Sequence, residues 1–351
     1  MNRRTLAKSL LAAAYPLRAV KAAPEGSLTS IPGIEVGHFT DARRPTGCTA
    51  VLFRKGAVAG VDVRGAAPGT RETDLLNPIN TVQEIHAIML SGGSSYGLDT
   101  ATGAMRFLEE HGIGYHMGKQ VVPIVPAAIL YDLSIGDGHI RPDAAAGYAA
   151  CQAASGARVA EGSVGAGAGA TIGKFFGPKS MMKSGLGSAG QAVGATGIMV
   201  AAIVAVNAVG DVIDPSTGHI VAGARKPDGS GFIDTMARWR EGQGSRENQA
   251  GRNTTIGVVA TNAIFDKAQM TKIAQMAHDG LARAINPVHT IMDGDTIFAV
   301  TTGAAKSPMD YGVVGAIAAE VLAEAVLRAV RLATGVLSIS AYRDISVVSR
   351  K

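Results

Sequence analysis

The chain has 351 residues, of which 47% are hydrophobic, 17% charged and 5% aromatic, with 45 glycines. That is ample apolar material for a buried core, and it excludes disorder as the main state. The net charge of +5 is accounted for by Arg3, Arg4, Lys8, Arg18 and Lys21, which face no acid in the first 24 residues. The rest of the chain is neutral, which excludes the basic stripe that a nucleic-acid partner requires.

Taken from the N-terminus, paired arginines lead into a short apolar stretch over 9–17 and small residues at 20–22, the pattern of a secretory leader over residues 1–23. The run Arg3-Arg4-Thr5-Leu6-Ala7-Lys8 is similar to a twin-arginine export signal. A periplasmic or secreted protein is therefore expected; a basic tail on a cytoplasmic protein is the alternative. Residues 24–351 read as a single domain with no Pro/Ser-rich linker. Cys48 and Cys151 read as separate buried thiols, with pairing left open.

Runs at 50–53, 60–63, 85–90, 197–206, 256–260 and 297–301 have the apolar content of buried strands. Over 101–110, 266–285 and 309–331 apolar residues repeat at three and four, which predicts helices. The mixed order predicts an α/β fold, α+β layered. Past the leader no apolar run reaches the ~18 residues of a membrane helix, so no membrane partner is expected. Residues 227–253 are polar and aperiodic, which predicts an exposed loop entering the strand at 256. So long a loop inside a compact domain suggests a purpose, such as a processing site.

Gly165-Ala166-Gly167-Ala168-Gly169-Ala170 fits a loose dinucleotide pattern, but that site needs an acid about 20 residues on. No Asp or Glu occurs between Glu161 and Asp211. No cofactor is expected. The histidines His38, His86, His111, His116, His139, His219, His278 and His289 show no metal-ligand spacing and accompany no Gly-x-Ser-x-Gly elbow, so neither a metal site nor a Ser-His-Asp triad is expected. They read as surface or loop residues.

There remains Arg252-Asn253-Thr254-Thr255 at the mouth of an apolar strand. A threonine hydroxyl there can attack the carbonyl preceding it, move the acyl group from nitrogen to oxygen, and leave a new N-terminal threonine once water cuts the ester. The α-amine, of reference pKa ~7.7–8.0, then takes the hydroxyl proton without a histidine. Two adjacent hydroxyls leave the register open between Thr254 and Thr255. Acyl transfer also wants donors aimed at the developing oxyanion, worth roughly 3 kcal/mol. Gly92 and Gly93 are the candidates, because glycine lets backbone N–H groups approach a substrate.

Several segments carry a resemblance in the right order: Ile31-Pro32-Gly33-Ile34-Glu35-Val36-Gly37-His38, then 62–69, Leu90-Ser91-Gly92-Gly93-Ser94-Ser95-Tyr96-Gly97-Leu98-Asp99, 162–174, and 253–262. Over almost the whole length past the leader the chain resembles the P1 family of N-terminal-nucleophile peptidases, which includes D-aminopeptidase/esterases, β-peptidyl aminopeptidases and nylon-oligomer endohydrolases. The resemblance implies an αββα sandwich, a homo-oligomer that is often a tetramer, and self-cleavage between Asn253 and Thr254 into chains 24–253 and 254–351. It further implies Thr254 as nucleophile, Lys174 as the active-site lysine, Asn207 as the asparagine whose amide supports the oxyanion or the nucleophile's amine, and Tyr131 as a pocket tyrosine.

Asp293-Gly294-Asp295 fits the same picture, since residues i and i+2 of an extended strand share a face. Two carboxylates side by side want a cation, and Lys174 and the Thr254 ammonium are at hand. Asp-Gly-Asp with a threonine nucleophile is similar to the nylon-hydrolase branch, which implies linear amides, either short peptides or amino-terminated nylon-type oligomers, as substrates. An aminopeptidase for D- or β-residues remains an alternative. So do an acyltransferase of the ornithine acetyltransferase type, which has Ala-Thr-Met where this chain has Asn-Thr-Thr, and a binding protein that never matures.

Overall fold

The computed structural model describes residues 26–243 and 251–348; the expected leader over 1–23 lies outside the described residues. Nine strands join one sheet: β1 Glu35–Thr40, β2 Gly47–Val63, β3 Thr70–Arg71, β4 Glu84–Ser91, β5 Ala127–Ile129, β6 Leu186–Ala192, β7 Met199–Ala205, β8 Ile256–Thr261 and β9 Thr296–Thr301. Their order is β6-β7-β8-β9-β2-β4-β5-β3, with β1 also paired to β2. The helices are α1 Thr100–Glu110, α2 Ala144–Gln152, α3 Thr235–Arg240, α4 Lys267–Ala284, α5 Tyr311–Arg331 and α6 Tyr342–Val348.

The layering turns on β2. Its first half pairs with β1 and β4, its second half with β9, and the register breaks between Leu52 and Ala57. Strand alternation then sorts side chains into three cores. Val200, Ala202, Val204, Val259, Ile297 and Ala299 pack against α4 and α5. The opposite faces of the same strands, through Ile203, Val258, Phe298 and Val300, meet Val51, Phe53, Ile88 and Leu90 in a middle core. Ala50, Leu52, Ala87 and Met89 point the other way, onto α1 and α2. The result is helix pair, sheet, sheet, helix pair: the αββα arrangement.

The long helices start where the sequence provides caps. Asp266 accepts from Gln269 N at 2.8 Å while Gln269 Oε1 accepts from Asp266 N at 3.0 Å, a capping box for α4. Asp310 accepts from Gly312 N and Val313 N at the head of α5. No helix among the described residues is long and apolar enough to cross a membrane.

Three expectations change. The runs 50–53 and 60–63 are one strand, because exposed Arg54 and Lys55 and left-handed Gly56, φ 78°, form an irregularity within β2 and not a turn between strands. Helix α2 went unread, since Ala144-Ala145-Ala146-Gly147-Tyr148-Ala149 has small residues on every side and no apolar stripe. Its packing explains this: a Cβ on Gly103 would lie 1.7 Å from Ala144 O, and one on Gly147 1.9 Å from Thr100 O, so α1 and α2 touch backbone to backbone. The polar segment 227–253 contains α3, capped by Asp234 accepting from Ala237 N at 2.9 Å.

Cys48 and Cys151 are both free and buried, and burial raises both thiols, that of Cys151 to about 12. They are inert packing residues. Phe298 is fully buried in the middle core, so Phe298→Ala should lower unfolding free energy by about 3–5 kcal/mol. Denaturant titration of the purified protein checks this.

Candidate active site

Parallel pairing of β8 with β9 sets their N-terminal ends side by side, and antiparallel β7 delivers its C-terminal end to the same edge. Asn207 therefore meets Thr254, and Asn253 meets Asp293. The backbone closes the site: Thr254 N donates to Asn207 O at 2.9 Å, Gly294 N to Asn253 O at 3.0 Å, Thr296 N to Thr255 O at 3.1 Å and Ala67 N to Asp293 O at 2.9 Å. Asn253, Thr254, Thr255, Asp293 and Asp295 are all buried, none more than 2% exposed.

The Thr254 hydroxyl donates to the carbonyl of Asn253, the residue before it. That carbonyl oxygen also receives the Gly294 N–H, so a backbone donor polarises the bond next to the hydroxyl. Gly294 is required by close approach: a Cβ would lie 2.4 Å from Ala67 O and 2.9 Å from Thr254 Oγ1.

Lys174 reaches in from beyond the short strand Thr171–Ile172. Its Nζ donates to Asn207 Oδ1 at 2.8 Å, Asn207 O at 3.1 Å and Arg252 O at 3.0 Å. Burial pulls this amine from its ordinary 10.5 down to about 7, against the pull of Asp293, Asp132 and Asp295. An amine near 7 can exchange a proton at neutral pH. On the Asn207 side chain, Oδ1 also accepts from Thr171 N at 3.1 Å, and Nδ2 donates one of its two N–H groups to Tyr131 O at 3.0 Å. Asn207 meets the Thr254 nitrogen through its main-chain carbonyl. Tyr131 contributes its main-chain carbonyl.

The two carboxylates of the Asp-Gly-Asp motif lie close but have different partners. Asp293 accepts from Thr290 N at 3.0 Å and Thr290 Oγ1 at 2.5 Å. Burial, then the charge of Asp295, pushes Asp293 up to about 6. Asp295 accepts from Thr255 N at 2.6 Å and from His289. Neither acid makes an ion pair with Lys174 within bonding distance among the described residues; the coupling is through space.

Gly92 and Gly93 do not supply the oxyanion donors. Gly92 N donates to Gly47 O and Gly93 N to Asp132 Oδ1, both at 2.9 Å, so these amides face inward. The backbone donor on the Asn253 carbonyl is Gly294. Behind Tyr131 stands a further feature the sequence reading missed: Asp132 pairs with Arg44 at 2.7 Å, both side chains wholly buried, and takes the Thr46 hydroxyl at 2.6 Å. Nothing in the spacing signals this pair. His289, expected as a surface or loop histidine, instead bonds Asp295 six residues on. His86 and His278 are buried and His38 is half-buried, contrary to a surface reading. No group of three or more metal-ligating side chains occurs among the described residues.

Because folding raises Asp293 above an unfolded ~3.9, its protonated form is the one folding favours. The associated stability is complete below pH ~4 and is lost as pH climbs through 6. In an uncleavable Thr254→Ala background, Asp293→Asn should add on the order of 1 kcal/mol at pH 8 and almost nothing at pH 4. Thermal unfolding at the two pH values tests the sign.

The description "Peptidase family S58" matches residues 26–342. An uncharacterized aminopeptidase of Mycobacterium leprae is 44% identical over 92% of this chain and 94% of its own. A 6-aminohexanoate-oligomer endohydrolase of Kocuria sp. is 32% identical over 91% of this chain and 90% of its own. Among solved structures, the l-aminopeptidase d-ala-esterase/amidase of Ochrobactrum anthropi, described as a variant of the Ntn hydrolase fold, superposes with a TM-score of 0.68 at 18% identity, covering 93% of this chain and 94% of that one. With a buried Thr254 hydroxyl seated on the carbonyl before it, the chain belongs to peptidase family S58 and is an amide-bond hydrolase of the N-terminal-nucleophile type.

Proposed function

We propose that the chain is a precursor that cuts itself between Asn253 and Thr254, and that its mature form hydrolyses linear amides with Thr254 as N-terminal nucleophile. The observation that carries this is the Asn253 carbonyl, held between the Thr254 hydroxyl and the Gly294 N–H. Thr254 Oγ adds to that carbonyl carbon, the C–N bond breaks as the amide nitrogen takes a proton, and an ester remains on Oγ. Water then releases Asn253 as a carboxylate. Lys174, brought to about 7, is the nearby amine suited to relaying the protons. Chains 24–253 and 254–351 stay together because β8 is hydrogen-bonded to β7 and β9 to β2, both strands of the larger chain.

In turnover the freed Thr254 amine, resting on Asn207 O, accepts the hydroxyl proton as Oγ attacks a substrate amide; the amine product leaves and water clears the acyl group. The 32% identical relative named for 6-aminohexanoate oligomers supports linear, amino-terminated amides and short peptides as substrates. The 44% identical relative named as an aminopeptidase favours a second reading, removal of N-terminal residues, including D- or β-residues. Export through the leader and assembly as a homotetramer belong to the same proposal.

Intact mass and terminal sequencing should find two wild-type chains, the smaller beginning Thr254-Thr255-Ile256, and one uncut chain in Thr254→Ala. A single wild-type chain would sink self-cleavage, and a small chain beginning at Thr255 would move the nucleophile. Lys174→Met should slow cleavage by about 10²–10⁴-fold, read by gel densitometry over time. N-acetylated oligoamides separate the two substrate readings: an endohydrolase cuts them, an aminopeptidase leaves them intact.

A further inference from the structure

We propose that His289 is a positioning residue: it locks the Asp295 carboxylate that anchors the chain just past the nucleophile. The proposal rests on Thr254 being that nucleophile. Asp295 Oδ1 accepts the Thr255 N–H at 2.6 Å, while Oδ2 accepts two donors from one residue, His289 N at 3.2 Å and His289 Nδ1 at 2.8 Å. One carboxylate thus ties the Thr254–Thr255 peptide to His289. Thr254 N is held on the other side by Asn207 O at 2.9 Å. The α-carbon of Thr254 is therefore held from both flanks.

His289 is itself built into place. Its backbone has φ 54°, a region few side-chain-bearing residues adopt, and such outliers persist where the surroundings impose them. This turn aims its main-chain and ring N–H groups at the same oxygen. The ring packs edge-on to His278 with centroids 4.7 Å apart, and His278, wholly buried, is held by Nε2 on Asp62 O at 3.0 Å. His289 Nε2 is buried with no hydrogen-bond partner among the described residues. The ring's only hydrogen bond is thus the one to Asp295, and His289 reaches the reacting atoms only through that acid.

Misplacing a reacting group by about 1 Å can cost 10²-fold in rate, so His289→Ala should slow self-cleavage by about 10- to 100-fold. In the mature enzyme it should lower kcat with little change in KM, since the nucleophile and not the substrate is displaced. His289→Asn, whose side-chain N–H can take the place of Nδ1–H, should recover most of the rate, and His289→Leu should not. The effect must vanish once the acid is gone: Asp295→Ala and His289→Ala/Asp295→Ala should process equally slowly. Circular dichroism of each variant in the Thr254→Ala background verifies folding, and if His289→Ala does not fold, the Asn and Leu variants decide. Equal rates for wild type and His289→Ala, equal rates for the Asn and Leu variants, or additive effects with Asp295→Ala would each overturn the proposal. A wild-type chain that never processes would instead remove the Thr254 reading, a distinguishable result.

Discussion

The parallel contact between the chain entering β8 and the chain entering β9 is what the rest of the site depends on. It places Asn253 beside Asp293, lets Gly294 N–H reach the Asn253 carbonyl, and sets Thr255 against Asp295. Parallel neighbours need a long crossover, here supplied by α4, so residues 40 positions apart arrive at the same sheet edge with their leading ends aligned. Antiparallel β7 contributes the opposite end of a strand, which is why Asn207 follows its strand while Thr254 and Asp295 precede theirs.

Charge is handled sparingly around this edge. Lys174 is surrounded by carbonyl oxygens instead of bonded carboxylates, and burial dominates its behaviour. Lys183, wholly buried in the short strand Met182–Lys183, is treated the same way: it donates to Gly167 O at 2.8 Å and to Ser184 O, and burial lowers it to about 7. By contrast Arg44 and Asp132 are a buried pair, in which Arg44 also donates to nearby carbonyls and Asp132 also accepts from the Thr46 hydroxyl and Gly93 N. A buried pair of this kind suits orientation, and through Tyr131 O it bears on Asn207. The amines left without a bonded acid are the ones able to lose a proton near neutrality.

Several of the glycines have a packing explanation. A Cβ on Gly187 would sit 2.0 Å from Ala325 O, and one on Gly280 2.3 Å from Ala319 O, so α5 lies almost in backbone contact with β6 and with α4. Gly167, in the run that superficially fits a dinucleotide pattern, would put a Cβ 2.2 Å from Leu186 N. Close backbone approach, not phosphate binding, accounts for that run.

Helices α1, α4 and α5, and the strand content of β4, β7, β8 and β9, were legible because apolar period is a local property of the chain. Thr254, Lys174, Asn207 and the two aspartates were singled out through the family resemblance, and the structure places them at one sheet edge. What sequence could not decide was which of their atoms meet. Asn207 meets Thr254 through its main-chain carbonyl, Gly294 reaches the Asn253 carbonyl while the amides of Gly92 and Gly93 face inward, and His289 joins only because a left-handed turn folds it back onto Asp295. Those choices depend on distances between segments far apart in the chain, and only the packed sheet sets such distances.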